Sequence, residues 1–396
     1  MSTTINPVTF RSLCMGPYID HHLAGCVDRG EVTETEAAFL IDYLTEWQAE
    51  NGTADQTIKA MYDRLITWRK FLSLSTESIA DVHRGRSKME AVGYKQNSKR
   101  GLLVELKRYL RWRCENGSTM PLEKIERIQV PPVDRHTKNP DQMVTKAEYE
   151  ELIEAARHPR DRAVIAMLYE GGFRPVELVR LTWGAVKFDR YGCLVTTSEK
   201  TGTPRTVRLI ASAGYLAQWR EQYPVQPIDK GSSVFVRWRT RPHTPLKSKG
   251  LAKLLKRVVE AAGTRWITLY LFRHTSVTNM LNDEIPESVI KLQHWGSLST
   301  IMLSTYGHLT TKHQDDILLA RAGIKQRDKM ASQRLNPCQC PKCLRVSPPT
   351  FEFCPNCGCP LTDEAMRAQE AAVVELWGNS EVMAEATRRL AEKSKS

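Results

Sequence analysis

The apolar positions divide the chain into a helical first third, an unpatterned stretch, a mixed second half and a cysteine-rich end. From Thr33 onward, Phe39, Leu40, Tyr43, Leu44 and Trp47 recur at three- and four-residue spacing. That is the period of one helix face, and Asn51-Gly52 stops it. Ile58, Met61, Leu65, Trp68 and Leu72 form a second stripe, and Leu103, Leu106, Leu110 and Cys114 a third, from about Asn97 to Cys114. These stripes predict a small helical bundle over residues 34–128. Residues 1–33 have weak periodicity and read as a loosely packed leader. Residues 129–142 hold Pro131, Pro132 and Asn139-Pro140 without periodicity, which reads as a linker.

A new element begins at Thr145-Lys-Ala-Glu148, a capping box in which the threonine and the glutamate satisfy free backbone N–H groups. Residues 143–325 then form one mixed domain. Within it, 186–196 and 206–210 read as strands around the turn Thr201-Gly202-Thr203-Pro204. Helical patterns fill the rest, including an amphipathic stretch at 315–322. Residues 362–396 start with a second cap-like segment and carry Val373, Val374, Leu376 and Trp377 before a break at Gly378-Asn379-Ser380. Helices that pack on the preceding module or on another chain are expected there.

Charge narrows the partner. The chain has 57 Lys+Arg against 45 Asp+Glu, a formal charge of +12, which favours a polyanion. Residues 84–138 carry 14 Lys/Arg and 6 Asp/Glu, and 235–257 carry 8 Lys/Arg and no acid. Clustering of this kind is a nucleic-acid footprint. On the third helix, Lys99, Arg100, Lys107, Arg108, Arg111 and Arg113 lie off the apolar stripe and are expected to face phosphates. The N-terminus has no basic-then-apolar signal pattern, and no run of about 18 apolar residues exists. A cytoplasmic, nucleoid-associated protein with no membrane contact is the expectation.

Arg174, Lys200, Arg273, His294 and Tyr306 form an ordered polar set. They sit in Gly-Gly-Phe-Arg-Pro-Val-Glu (171–177), Glu-Lys-Thr-Gly (199–202), Leu-Phe-Arg-His-Thr (271–275), Leu-Gln-His-Trp-Gly (292–296) and Ser-Thr-Tyr-Gly-His (304–308). Arginine forks neutralise phosphate oxygens at any working pH. A lysine can donate a proton to a leaving oxygen, and a tyrosine can form a covalent intermediate once nearby cations favour its phenolate. Glu177, three residues after Arg174, can orient that guanidinium if a helix starts there.

This ordered set resembles the tyrosine recombinase (phage integrase) family, with residues 166–181 and 270–276 the best-matched segments. The resemblance covers about residues 35–325. It implies a mainly α fold with a small antiparallel β-sheet: a helical core-binding domain followed by a catalytic domain, together a C-shaped clamp on duplex DNA. It further implies Arg174 and Arg273 as the phosphate clamp, Lys200 as general acid, His294 as a phosphate contact and Tyr306 as nucleophile, with no cofactor for catalysis. Where the family often has histidine, three residues before the second arginine, this chain has Tyr270. Trp295 competes with His294 for the phosphate-contact role, and His274 is expected to support the site. The family also implies a DNA-bound tetramer, with the segment after Tyr306 docking on a neighbouring protomer. Two other functions use the same residues: a non-catalytic DNA-binding regulator and a type IB topoisomerase.

Of ten cysteines, six lie between Cys338 and Cys359. Cys340-Pro-Lys-Cys343 and Cys354-Pro-Asn-Cys357-Gly are matched knuckles whose four thiolates can surround one structural zinc. Cys338 and Cys359 are spares, each able to replace a ligand. Residues 336–361 therefore read as a zinc ribbon. The family and the ribbon together resemble archaeal-type integrases.

Overall fold

A computed structural model of the chain describes residues 16–134, 142–198, 203–238, 244–303, 319, 322–324 and 335–378. The chain divides into two units, 1–135 and 136–396.

The first unit is helical: α1 (Pro17–Asp28), α2 (Glu34–Asn51), α3 (Asp55–Trp68), α4 (Ile79–Ala91), α5 (Gln96–Glu115) and α6 (Leu122–Glu126). Thr33 and Glu36 form a capping box at the start of α2, and Gly52 closes it in the left-handed conformation. The expected stripes build the core, with Leu40 and Leu44 of α2, Ile58, Met61, Leu65 and Trp68 of α3, and Leu103, Leu106 and Leu110 of α5 buried together. Trp68 Nε1 donates to the Leu102 carbonyl at 2.7 Å, which ties α3 to α5.

Two expectations change here. The leader contains α1, whose Ile19, Leu23 and Cys26 are buried in this same core. Three buried side chains within twelve residues left too short a stripe for periodicity to register. The basic face of α5 is also not wholly turned to solvent. Arg113 is buried, bonded to the Leu74 carbonyl at 2.8 Å and paired with Glu77. Arg111 and Lys107 pair with Glu126, and Arg100 donates to the Pro131 carbonyl at 2.7 Å. Long basic side chains here satisfy carbonyls and carboxylates of their own unit.

Glu36 is the polar hub of the unit. Fully buried, it accepts from Arg69 Nε at 2.7 Å, Ser73 Oγ at 2.6 Å, Leu74 N at 2.8 Å and Thr33 N at 3.0 Å. Burial alone would raise its carboxyl, but these bonds outweigh burial and hold it below the usual range.

The second unit begins with α7 (Lys146–Ala155), α8 (Pro159–Gly171) and α9 (Pro175–Arg180). The Thr145–Glu148 capping box is present at α7. A three-stranded antiparallel sheet follows, β1 (Val186–Asp189), β2 (Gly192–Thr197) and β3 (Arg205–Leu209), in the order β1-β2-β3. The single strand read over 186–196 is thus a hairpin that turns at Arg190-Tyr191. Helices α10 (Ala213–Glu221), α11 (Ser248–Ala262), α12 (Leu269–Asn282) and α13 (Glu287–Trp295) complete the core. Central α8 is buried without a break from Ala163 to Tyr169. On α11, Leu251, Leu254, Leu255, Val258 and Val259 face the core while Lys249, Lys253, Lys256 and Arg257 are exposed. A two-stranded hairpin, β4 (Cys338–Gln339) and β5 (Val346–Ser347), and a last helix α14 (Asp363–Gly378) follow. Among the described residues of α14 only Ala365 is buried. Residues 315–318, 320, 321 and 379–396, which include most of the expected amphipathic segment and the second C-terminal helix, lie outside the described residues. No helix among the described residues is long and apolar enough to cross a membrane.

Replacing Glu36 by Gln keeps the shape but removes the charge that Arg69 faces. We expect this variant to lose about 2–3 kcal/mol of stability in the first unit, read as a lower urea midpoint.

Candidate active site

Helix α8 ends at Gly172, which takes a left-handed φ of 55°. A side chain is excluded there, since a Cβ would stand 2.5 Å from Cε1 of His294. Arg174 then caps α9, with Pro175 at the first helical position, where its missing N–H costs nothing. The expected Glu177 contact is present. Its Oε2 accepts from Arg174 N at 2.6 Å and its Oε1 from Arg174 Nη1 at 3.0 Å.

Glu177 has a second cation that sequence reading missed. Arg205, the first residue of β3, is 2 % exposed. It donates from Nε to Glu177 Oε1 at 3.1 Å and from Nη2 to Oε2 at 2.7 Å, a bidentate fork. Its Nη1 donates to the carbonyl of Gln293, the residue before His294. One guanidinium therefore fixes both the carboxylate that orients Arg174 and the backbone that carries His294. Burial alone would raise Glu177, but the Arg205 bonds and charge, the Arg174 amide and the Arg273 charge hold it below the usual range. A signal for Arg205 exists in the sequence: it is in phase with Val207 and Leu209 on the buried face of β3, where a charge needs a partner.

Arg273 projects from α12, which starts with Thr268 accepting from Leu271 N at 3.3 Å. It donates to the Gly172 carbonyl at 2.8 Å and to the His294 carbonyl at 2.5 Å, so it links the ends of α8 and α13. Its guanidinium lies 5.2 Å from the Trp295 ring centre. His294 is fully buried. Its Nε2 is 3.5 Å from Ser276 Oγ, and its Nδ1 has no hydrogen-bond partner among the described residues. Burial first, then the charges of Arg273, Arg205 and Arg174, holds its pKa well below the ordinary histidine value, so the ring is neutral at working pH. Trp295 instead packs with Val277, Ile290 and Leu303. Gly296 ends α13 at φ 68°, where a Cβ would meet the Pro204 carbonyl at 2.9 Å, so α13 docks closely on the lead into β3.

The structure thus gathers Arg174, Arg273 and His294 around the Gly172 turn. Tyr270 stands on α12 one turn before Arg273 and is 59 % exposed. Lys200 and Tyr306 lie outside the described residues. In sequence, Lys200 falls between β2 and β3, and Tyr306 follows buried Leu303 by three residues.

Cys340, Cys343, Cys354 and Cys357 form a separate centre, with all four sulfurs within 4.8 Å of one another. The Cys340–Cys357 and Cys343–Cys354 separations are 3.5 and 3.6 Å. Four thiolates about 2.3 Å from one metal would stand ~3.8 Å apart, so the set fits a tetrahedral ion. The two knuckles match in detail. Leu344 N donates to the Cys340 carbonyl and Gly358 N to the Cys354 carbonyl, both at 2.9 Å. Leu344 and Gly358 are both left-handed, at φ 59° and 69°. Cys338 Sγ instead approaches the Pro348 carbonyl at 3.6 Å and Cys359 Sγ the Pro360 carbonyl at 3.6 Å, and neither belongs to the four-sulfur set.

Two outcomes follow from this geometry. Arg205→Met leaves Glu177 buried with one cation fewer, and we expect a loss of roughly 3–5 kcal/mol in urea unfolding. The neutral His294 stabilises the fold fully above its unfolded pKa of ~6.5 and loses that contribution as pH falls below it, with a slope approaching ~1.4 kcal/mol per pH unit. His294→Gln removes that slope between pH ~6.5 and ~5, which unfolding at stepped pH measures.

Residues 142–313 match the phage integrase family. The chain is 28% identical over 289 residues to the tyrosine recombinase XerA of Pyrococcus furiosus, covering 72% of this chain and 92% of that protein. Among solved structures, the XerH site-specific recombinase bound to palindromic difH superposes with a TM-score of 0.52 at 14% identity, covering 77% of this chain and 95% of that one. The lambda integrase tetramer bound to a Holliday junction gives 0.51 at 15%, covering 76% and 84%. These two likenesses show the fold. The segment that carries Arg174, Arg273 and His294 thus matches the phage integrase family, and the chain is similar over most of its length to the tyrosine recombinases XerA of two Pyrococcus species.

Proposed function

We propose that this chain is a site-specific recombinase that cuts and rejoins duplex DNA through a covalent bond between Tyr306 and a 3′ phosphate. The observation that carries the reading is the convergence of Arg174, Arg273 and His294 on one turn, held by the buried Glu177–Arg205 pair. Two guanidinium forks and a neutral imidazole suit the non-bridging oxygens of a phosphodiester, where charge builds in the transition state. Tyr306 attacks phosphorus, its phenolic proton passing to solvent water as the new phosphotyrosyl bond forms. The bond to the 5′ oxygen breaks, and Lys200 protonates that oxygen. In the reverse step a 5′ hydroxyl from a partner strand attacks the phosphotyrosyl bond and releases Tyr306. Tyr270, exposed one turn ahead of Arg273, serves as a phosphate hydrogen-bond donor. His294, with its orphaned nitrogen, is favoured over Trp295, whose ring is committed to an apolar cluster.

The partners are duplex DNA and further copies of the chain. The exposed basic face of α11 and the formal charge of +12 support the first, and the lambda integrase tetramer on a junction supports the second. Cys340, Cys343, Cys354 and Cys357 hold a structural zinc. Four thiolates fill its coordination sphere, so zinc stabilises the ribbon and takes no part in phosphoryl transfer.

The test uses a pool of random-sequence nicked duplexes, with covalently trapped strands isolated and sequenced. Wild type should give a 3′-linked adduct at an enriched sequence, and Tyr306→Phe none. Arg174→Ala or Arg273→Ala should reduce adduct formation by roughly 100-fold or more. Binding without any adduct would favour a DNA-binding regulator. Relaxation of supercoiled plasmid with no sequence enrichment would favour a type IB topoisomerase.

A further inference from the structure

A metal-held ribbon is often a self-contained module, folded by its ion and free to reach a ligand. Here it is seated on the catalytic unit. Pro348 and Phe351, between the two knuckles, lie against α10. A Cβ on Gly214 would stand 2.3 Å from Pro348 Cδ and 2.8 Å from its Cγ, so only glycine admits this approach. The rings of Tyr215 and Phe351 meet edge to face at 5.3 Å, a favourable aromatic geometry. The Tyr215 hydroxyl bonds Thr350 Oγ1, and Val346 N donates to the Arg190 carbonyl in the β1–β2 turn at 3.3 Å. Phe351 packs against the main core of the unit. The Pro348–Phe351 segment of the ribbon is therefore already occupied.

The seat leads to the active site. Helix α10 has no side-chain cap of its own. Its start is held instead by Glu170, near the end of α8. The Glu170 carboxylate accepts from the N–H groups of Ile210, Ala211 and Ser212 at 2.8, 3.1 and 2.7 Å, and from Ser212 Oγ at 2.5 Å. The Glu170 carbonyl in turn accepts from Ser276 Oγ at 2.9 Å, and Ser276 stands beside His294. Two residues on, the Gly172 carbonyl accepts from Arg273. One short piece of chain, 170–172, thus receives α10 on one side and the phosphate-binding residues on the other.

We propose that the ribbon is a buttress of the active site: its seat on Gly214 and Tyr215 fixes α10, and through Glu170 the α8 terminus that aligns Arg273 and His294. Glu170 is the positioning residue of this device. The dependence on metal rests on the zinc reading above, whereas the seat does not.

The full chain tests both parts by amide hydrogen exchange and by adduct formation on the nicked-duplex pool. Measured zinc content first shows whether the four cysteines bind one ion per chain; its absence would overturn the zinc reading alone. Chelation should then speed exchange about tenfold or more in α10 and in 170–174, leave 16–134 unchanged, and slow adduct formation about tenfold with DNA affinity retained. Gly214→Val, with zinc still bound, should do the same, and Phe351→Ala stands in if that variant does not fold. Faster exchange confined to 335–378, or an adduct rate unchanged when the seat is broken, would overturn the buttress.

Discussion

A carboxylate cut off from water is stable only when cations and N–H groups replace its hydration. Glu177 meets that demand with four N–H donors from two residues: the Arg174 amide, the Arg174 guanidinium and the two-pronged Arg205 fork. The site depends on this cluster. Arg205 also grips the Gln293 carbonyl, so β3, α9 and α13 share one charged joint. Because burial is nearly complete, the joint has few alternative arrangements, and Arg174 and His294 inherit its rigidity.

The same principle recurs elsewhere with other partners. Glu36 closes the first unit by collecting N–H and hydroxyl donors from α2 and the segment after α3. Glu170 gathers the start of α10. Each is a buried or half-buried acid in a chain with excess basic charge, placed where several backbone N–H groups would otherwise lack acceptors. His294 is the opposite case, a base kept neutral because it is buried among cations. Its neutrality lets an imidazole stand near the Arg273, Arg205 and Arg174 guanidinium groups without adding to their mutual repulsion.

Much of this was legible in the chain. Helix stripes, the Thr145–Glu148 capping box and the Gly52 stop are short-range features, and their spacing alone defines them. The Arg174–Glu177 contact is of the same kind, one helical turn in reach. The cysteine knuckles are another, since two residues between thiols set their geometry wherever the module lies. Less legible were α1, whose stripe is too short to register, and the β1–β2 hairpin, whose apolar run reads as one strand. The basic face of α5 misled for a further reason. Lys and Arg in sequence announce charge, but not the carboxylate that the fold brings to them.

By itself, then, the sequence determined most of the helices, the Thr145–Glu148 cap, the order of the candidate site residues and the four-thiol set. Each of these depends on neighbours within about one turn of chain. Tertiary structure decided what those residues lean on. Arg205 finds Glu177 across 28 positions and Gln293 across 88, Ser276 finds Glu170 across 106, and Tyr215 finds Thr350 across 135. No local pattern encodes such pairings, because they exist only once strand, helix and ribbon are packed. Burial then favours the pairings strongly, since a charge or N–H removed from water costs free energy until it finds a partner in the fold.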